Sequence, residues 1–265
     1  MSVEVNLSKK RKRSWRDYLR ALGRAHRKAS VQLETSKPLL QHLDELRRRL
    51  FKAFAAVVVT TALSFAFAGP IIDFLSAPVG GRKALVSIEV TENIAIFMRV
   101  SLLGGITLGM PFVVYQILRF ILPGMKKNEK TWLLVIVPLA TILFASGVAF
   151  TWFVMLPSAL PFLIHFLGIT TQVRPANYFE FVTTLMFWIG ICFEMPLVVM
   201  FLAKLKFVSA RQLASGWRYA VVGMAILAAA VTPTVDPVNM GLVMAPLMGL
   251  YLISILLAAI VRRGS

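Results

Sequence analysis

The chain has 265 residues, of which 58% are hydrophobic, and its mean hydropathy is +0.75. This composition excludes a soluble globular domain and is typical of a polytopic membrane protein. The formal charge of +17 would suggest a nucleic-acid partner in a soluble protein, but here the basic residues follow a membrane pattern, so no nucleic acid is predicted. One cysteine, Cys192, and three histidines leave little material for a disulfide or a metal site, and no cofactor is predicted.

Residues 1–36 are predicted to be a basic N-terminal extension, and residues 37–265 a single transmembrane domain. The extension contains the stretch SKKRKRSWRDYLRALGRAHRKAS, in which Asp17 is the only acid. Its apolar residues at helical spacing are Trp15, Tyr18, Leu19 and Leu22. This pattern indicates either an amphipathic helix lying on anionic lipid or a solvated basic tail. A transit peptide is a third interpretation, although serine is sparse, and no secretory signal peptide is predicted.

Residues 37–52, KPLLQHLDELRRRLFK, join the basic extension to the first apolar segment. Leucines recur along this stretch at helical spacing, so that one apolar stripe continues into the membrane-type sequence. Asp44 and Glu45 each lie four residues before an arginine, which is the favourable order for charge pairs on a helix. The stretch is therefore either a solvated lead-in to a membrane helix or a docking surface that offers both signs of charge beside the bilayer.

Six apolar segments follow, at about 50–68, 94–118, 132–156, 179–202, 219–231 and 238–261. Most of them have the roughly 20 residues that a helix needs to cross the hydrocarbon core. The fifth is shorter, because about 13 residues at about 1.5 Å each span only about 20 Å of a core that is about 30 Å thick. The predicted fold is therefore all-α, with six transmembrane helices in a compact bundle and a bilayer that is thinned, or an end that is covered, at the fifth.

The basic residues predict the orientation of this bundle. Residues 1–52 carry 15 Lys or Arg, the second–third and fourth–fifth loops carry 4 each, and the C-terminal tail carries 2, which makes 25 of 29. The remaining four are Arg82, Lys83, Arg99 and Arg174. By the positive-inside rule, both termini are predicted to lie in the cytoplasm.

Glu194 lies near the middle of the fourth segment, in the stretch CFEMPLVV. A carboxylate at the bilayer centre costs about 2.5–3.5 kcal/mol on insertion scales, so it is expected to face protein or water. Two interpretations stay open. Glu194 is either a structural carboxyl bonded to the backbone that Pro196 opens, or an intramembrane polar site that binds a partner's side chain or wets a cavity.

Glu129 is the only acid on the predicted cytoplasmic side after residue 46. It either balances three neighbouring lysines or binds a guanidinium bidentately, and Glu45 would supply a second such carboxylate. Asp236, in the turn TPTVDP, is interpreted as a cap of the sixth helix. No HExxH, P-loop or GxSxG pattern occurs, so an enzyme is not predicted.

Seven stretches, in order, resemble the TatC family, the multi-spanning receptor component of the twin-arginine protein translocase. They are HLDELRRRL at 42–50, SAP at 76–78, VTEN at 90–93, PFVVYQILRFILPGMKKNE at 111–129, FASGVAFTWFVMLPSALPFL at 144–163, FEMP at 193–196 and TPTVDPVN at 232–239. The resemblance covers about residues 38–261 and leaves the basic extension outside it.

This resemblance implies a glove-shaped six-helix protein of the bacterial cytoplasmic membrane, driven by the proton-motive force, that binds twin-arginine signal peptides of folded cargo. Its implied partners are single-span TatA- and TatB-type subunits, membrane lipid and further copies of the same chain. The implied signal-peptide site contains Glu45 and Glu129, with Arg47, Arg48 and Phe120 shaping the surroundings.

The resemblance also implies roles for residues within and beyond the bilayer. Glu194 would be the intramembrane polar residue, Pro78 and Pro196 would be structural, and partners would dock on the fifth and sixth helices near Thr232 and Asp236. The chain departs from the family at two positions, Met240 and Leu252, where the family usually has a Gln and a Glu. Partner contacts through polar side chains on the sixth helix are therefore expected to differ here.

Two other classes of protein compete with this interpretation. In a proton-coupled secondary transporter, Glu194 would be the coupling carboxylate, but no internal repeat is detectable and polar residues within the spans are few. An intramembrane hydrolase would need a membrane-embedded His or a pair of Asp residues, which the apolar segments lack.

Overall fold

The computed structural model describes residues 42–121, 130–164, 173–231 and 237–263, and within these ranges the chain is helical without strands. Glu129, Thr232, Asp236 and the basic extension lie outside the described residues. Two compact units of the chain meet between Lys52 and Ala53. The domain boundary after residue 36 stays a prediction.

Ten α-helices account for the described ranges, and two short 3₁₀ turns follow the second of them. The helices are α1 (His42–Phe65), α2 (Ala68–Ser76), α3 (Glu92–Ile121), α4 (Lys130–Phe150), α5 (Leu156–Ile164), α6 (Pro175–Phe193), α7 (Met195–Lys204), α8 (Ala210–Ser215), α9 (Trp217–Val231) and α10 (Pro237–Arg263). The 3₁₀ turns are Ala77–Val79 and Arg82–Ala84.

Four stretches are long and apolar enough to cross a membrane, namely Glu92–Phe120, Leu134–Ile164, Pro175–Lys204 and Met240–Val261. A fifth is added if α1 and α2, which meet at 75°, are taken as one span. Between 28% and 44% of each of the four is buried, so apolar side chains face outward as they do in lipid. The predicted polytopic all-α class is confirmed, whereas the count of six spans stays a prediction.

The short fifth segment of the sequence corresponds to α9. This helix has 15 residues, which span about 22 Å of a hydrocarbon core about 30 Å thick. It ends at Val231, and it begins directly after Gly216, where α8 stops. The length of α9 confirms that the fifth segment is shorter than the four stretches that are long enough to cross a membrane.

Within residues 53–263, α3 runs in the opposite direction to α4 and in the same direction as α6, and the three helices pack against one another. The bundle therefore has two ends. The Glu92 end holds α2, the start of α3 and the start of α6. The Arg119 end holds the last turn of α3, the end of α7 and the start of α9.

Proline explains two irregular points in otherwise continuous spans. A proline lacks the N–H that a helix needs and clashes with the carbonyl four residues earlier. Before Pro157 the helix widens into a single π-turn, Thr151–Met155, which joins α4 to α5. Near Pro196 the fourth span is interrupted at Glu194, so α6 ends at Phe193 and α7 begins at Met195. Four other prolines of the described residues lie inside continuous helices, at Pro111, Pro138, Pro161 and Pro246.

Small residues bring the membrane part of α1 close to α3. The Thr60 hydroxyl donates a 2.7 Å hydrogen bond to the carbonyl of Gly105. A Cβ atom built on Gly105 would lie 2.5 Å from Thr61 Cα and 2.7 Å from Thr61 N, so only a glycine fits there. Gly105 and Gly109 are four residues apart, which is the spacing at which small residues let two helix backbones approach in a membrane.

Candidate functional site

The charged stretch of α1 contains a carboxylate that already binds a guanidinium. Arg49 Nε donates a 3.0 Å hydrogen bond to Glu45 Oε1, and Arg49 Nη2 contacts the same oxygen. The pair spans one helical turn, as the sequence order predicts. Its side chains are 35% exposed for Glu45 and 17% for Arg49, so Glu45 is the more accessible partner.

Two arginines of the predicted site lie beside this pair on α1. The Arg47 guanidinium lies over the Phe51 ring, 5.8 Å from its centroid, which is within the range of a cation–π contact. Both Arg47 and Arg48 are exposed. Two exposed arginines therefore lie within one helical turn of the half-buried Glu45 carboxylate.

The last turn of α3 carries the other described member of the predicted site, Phe120, whose side chain is half-buried. The preceding residue is Arg119, whose Nη1 donates a 2.9 Å hydrogen bond to the hydroxyl of Tyr115, one turn earlier; the guanidinium lies 5.8 Å from the centre of the Tyr115 ring. Gln116 on this turn is buried. Glu129 follows this turn in the sequence and lies outside the described residues.

Glu194 occupies the interruption between α6 and α7 and is only 7% exposed. Its backbone carbonyl accepts hydrogen bonds from the N–H groups of Leu197 and Val198, each at 3.0 Å. Its side-chain Oε1 is buried and has no hydrogen-bond partner among the described residues. A carboxyl bonded to opened backbone would have a partner, and the described residues supply none to this oxygen.

A second buried carboxylate, Glu92, was not singled out from the sequence. Its side chain is 2% exposed and contacts Arg174 Nε, while Arg174 Nη2 lies 2.6 Å from Glu89 Oε1. Glu92 Oε2 accepts hydrogen bonds from Ser87 Oγ at 3.0 Å and from the Ile88 N–H at 3.3 Å. The carboxylates of Glu89 and Glu92 raise the pKa of Arg174 above its ordinary value, because both accept hydrogen bonds from its guanidinium. Arg174 thereby joins two loops at the Glu92 end.

The VTEN stretch at residues 90–93 contains Glu92, but no sequence pattern pairs Glu92 with a residue 82 positions away. The same end carries a second long-range contact, in which the Tyr178 hydroxyl donates a 2.6 Å hydrogen bond to the carbonyl of Leu75. Pro78 lies nearby in sequence, exposed in the 3₁₀ turn Ala77–Val79, and Gly80 follows with a φ of 92°. This left-handed glycine is the C-cap of the 3₁₀ turn and ends it.

The two ends of the bundle differ in charge. The arginines of the Glu92 end are paired with acids: Arg82 with Asp73 at 2.5 Å, Arg99 with Glu180 at 3.0 Å, and Arg174 with Glu89 and Glu92. The Arg119 end carries five described basic side chains and no described acid. They are Arg119, Lys204, Lys206, Arg211 and Arg218. One end is therefore close to neutral and the other is strongly basic.

Long apolar helices with outward-facing apolar side chains and charged groups at the two ends define the class of this protein. It is a multi-pass helical membrane protein.

Comparison with known proteins then gives the family. The family model of the Sec-independent protein translocase protein TatC matches residues 41–246. The chain is 36% identical over 236 residues to the TatC protein of Deinococcus radiodurans, covering 86% of this chain and 87% of that protein. It is 37% identical over 229 residues to the chloroplastic TATC protein of Arabidopsis thaliana, covering 85% and 67% of the two chains.

A crystal structure of the twin-arginine translocase receptor TatC has the same fold. It superposes with a TM-score of 0.72 at 32% identity, covering 83% of this chain and 99% of that one. The chain therefore belongs to the TatC family of Sec-independent protein translocase proteins, which confirms the resemblance seen in the sequence.

Proposed function

We propose that this chain is the receptor subunit of a twin-arginine translocase and binds the Arg-Arg signal peptides of folded proteins. The observation that carries the proposal is the fold shared with a solved twin-arginine translocase receptor over 83% of the chain. The proposed membrane is the bacterial cytoplasmic membrane, with both termini in the cytoplasm. The strongly basic Arg119 end and the nearly neutral Glu92 end support that orientation, because cytoplasmic loops carry the excess of Lys and Arg.

In the proposed mechanism, Glu45 and Glu129 each accept a guanidinium of the signal peptide, and no covalent step occurs. The contact between Glu45 and Arg49 supports this role, because it shows the Glu45 carboxylate accepting from a guanidinium at Oε1. An incoming arginine would bind the second oxygen or exchange with Arg49. Arginine presents a planar fork of donors that matches a carboxylate, whereas lysine presents a point charge, so the site would prefer Arg-Arg to Lys-Lys.

Photo-crosslinking in membranes tests this proposal with a signal peptide that bears Arg-Arg and the same peptide with Lys-Lys. We expect selective crosslinking of the Arg-Arg peptide, with loss in Glu129→Gln and a decrease in Glu45→Gln. Asp44→Asn is the matched control, because it removes the same charge from the neighbouring position of α1 and should leave the crosslink unchanged. Equal labelling by both peptides would mean that they crosslink only because they lie near the protein in the same membrane, and it would overturn the proposal.

The proposed partners are single-span TatA- and TatB-type subunits, which would dock on α9 and α10 near Thr232 and Asp236, with further copies of this chain in the same complex. The short α9 supports this region, because its outer face is unusually open: Tyr219 is 85% exposed, and Val222 and Ile226 are also exposed. Leu252 on α10 is exposed too, so at this departure from the family a partner would meet an apolar side chain.

The rival interpretation, a proton-coupled transporter that uses Glu194, finds less support. A cavity of about 580 Å³ lies between α1, α3 and α4, and Ser64 and Thr107 are the hydroxyl side chains that line it, with no charged residue. Glu194 does not line this cavity. A path for a polar solute needs convergent polar groups, so within the described residues this cavity does not suit transport. We propose instead that Glu194 binds a polar side chain of a partner or signal peptide inside the bilayer.

A further inference from the structure

A groove of about 260 Å³ follows the line where α3 packs against α6, on the half of the bundle nearest the Glu92 end. Each helix contributes side chains that are three or four positions apart and therefore share one face. They include Arg99, Leu102 and Ile106 on α3, and Thr184, Phe187 and Trp188 on α6. The groove is therefore mainly apolar, with Thr183 and Thr184 as its hydroxyl side chains, and it carries a cation at one end.

That cation is paired with a carboxylate from the facing helix. Arg99 Nη1 lies 3.0 Å from Glu180 Oε1, and the two side chains are 44% and 57% exposed. Arg99 lies seven residues into α3 and Glu180 five residues into α6, which places them about 8–10 Å from the helix starts. At this depth the exposed part of the pair faces the boundary between lipid headgroups and acyl chains.

The ion pair at this groove differs from the other ion pairs of the same end. Arg174 is held by two carboxylates, one of them buried, and it closes a contact between two loops. Arg82 is held by Asp73 and by the carbonyl of Gly69, in the turn region. Among these described pairs, only Arg99 and Glu180 join two membrane spans. Both charged side chains are about half exposed, and they lie at one end of the groove.

We infer that this groove binds one phospholipid whose headgroup carries a phosphate and a primary ammonium, such as phosphatidylethanolamine. The phosphate would lie on the Arg99 guanidinium and the ammonium on the Glu180 carboxylate, so that each charge of the zwitterion meets its opposite. One acyl chain would follow Leu102, Ile106 and Trp188 down the groove, over about 10 Å of helix.

The same charges argue against other headgroups. An anionic phosphatidylglycerol has no cation for Glu180, and its negative charge would lie beside that carboxylate. A choline headgroup has the right charge but no N–H donor for the carboxylate. The arrangement therefore selects a primary amine over both.

Native mass spectrometry of the delipidated full-length protein tests the inference with equimolar phosphatidylethanolamine, phosphatidylcholine and phosphatidylglycerol of identical acyl chains. We expect the wild type to retain phosphatidylethanolamine at least fivefold over each of the others. Arg99→Gln should remove this preference. Glu180→Gln should turn it towards phosphatidylglycerol, because Arg99 is then freed while the ammonium loses its acceptor.

Arg82→Gln is the matched control, since it breaks an ion pair at the same end but outside the groove, and it should retain the wild-type preference. If Arg99→Gln does not fold, the lipid preference of Glu180→Gln decides the test by itself. Equal retention of the three lipids by the wild type, or an unchanged preference in Glu180→Gln, would overturn the inference. A groove filled by an apolar segment of another protein would give the first of these results.

Discussion

The close approach of α1 and α3 makes a sharp prediction for Gly105→Ala. The added Cβ would lie 2.5 Å from Thr61 Cα, and an ordinary contact needs about 3.4 Å, so α1 must move by about 0.9 Å. The obstacle is backbone, which no side-chain rotation removes. Overpacking of this kind costs about 1–3 kcal/mol, and alanine regains up to about 1 kcal/mol of helix propensity. We expect a net loss of about 1–2 kcal/mol.

Thermal unfolding of the purified chain in detergent measures this loss, which corresponds to a lower midpoint by about 2–8 °C for a chain of this size. Gly223→Ala in α9 is the matched control, because a Cβ there meets nothing within 4 Å. We expect the control to be neutral or slightly more stable. If Gly105→Ala unfolds at the same temperature as Gly223→Ala, the helices are not in backbone contact and the reasoning is refuted.

The neighbouring position separates backbone from side-chain obstruction. A Cβ on Gly104 would meet the Ser64 hydroxyl, but it would lie at an ordinary 3.5 Å from Ser64 Cβ. Ser64→Ala should therefore rescue Gly104→Ala. Thr61→Ala should not rescue Gly105→Ala, because Thr61 Cα and N remain in place. Rescue of both variants would mean that side chains, and not backbone, set the spacing of these helices.

Two further predictions concern the buried carboxylates. Glu92→Gln should lower the free energy of unfolding by about 1–3 kcal/mol, because Arg174 loses its buried partner and keeps only Glu89. The control Asp73→Asn, in an exposed pair, should lower it by less than about 1 kcal/mol. Equal losses in thermal unfolding would contradict a special role for the buried contact. Glu194→Leu should raise the unfolding temperature in detergent, because it removes a buried oxygen that lacks a partner. Export of a twin-arginine reporter should fall in the same variant. A lower unfolding temperature would show that the carboxyl is structural.

Features that depend on neighbours along the helix were open to prediction. The charge pair between Glu45 and Arg49 follows from positions four apart, and the short α9 follows from the distance between two turn stretches. The interruption near Pro196 follows from the missing N–H of proline, although the sequence did not say that it would fall on Glu194. The family itself was recognisable from short motifs in order.

The sequence did not predict which faces of the helices pack against one another. A span that is apolar all round presents no polar face to mark its outside, so periodicity does not reveal its inner side. The groove between α3 and α6, and the contact of Gly105 with Thr61, therefore needed three-dimensional packing to appear. The predicted signal-peptide and docking residues include Glu129, Thr232 and Asp236, which lie outside the described residues.

The sequence by itself determined that this protein is an all-helical membrane protein of the TatC family with one short helix near its C-terminal end, because composition, segment length and local motifs act over a few residues. Only the tertiary structure decided that Glu92 is buried against Arg174, that Arg99 and Glu180 face each other, and that Glu194 keeps an unpaired oxygen. Those properties depend on how distant helices pack, and the energy of a buried charge is set by the groups that packing brings to it.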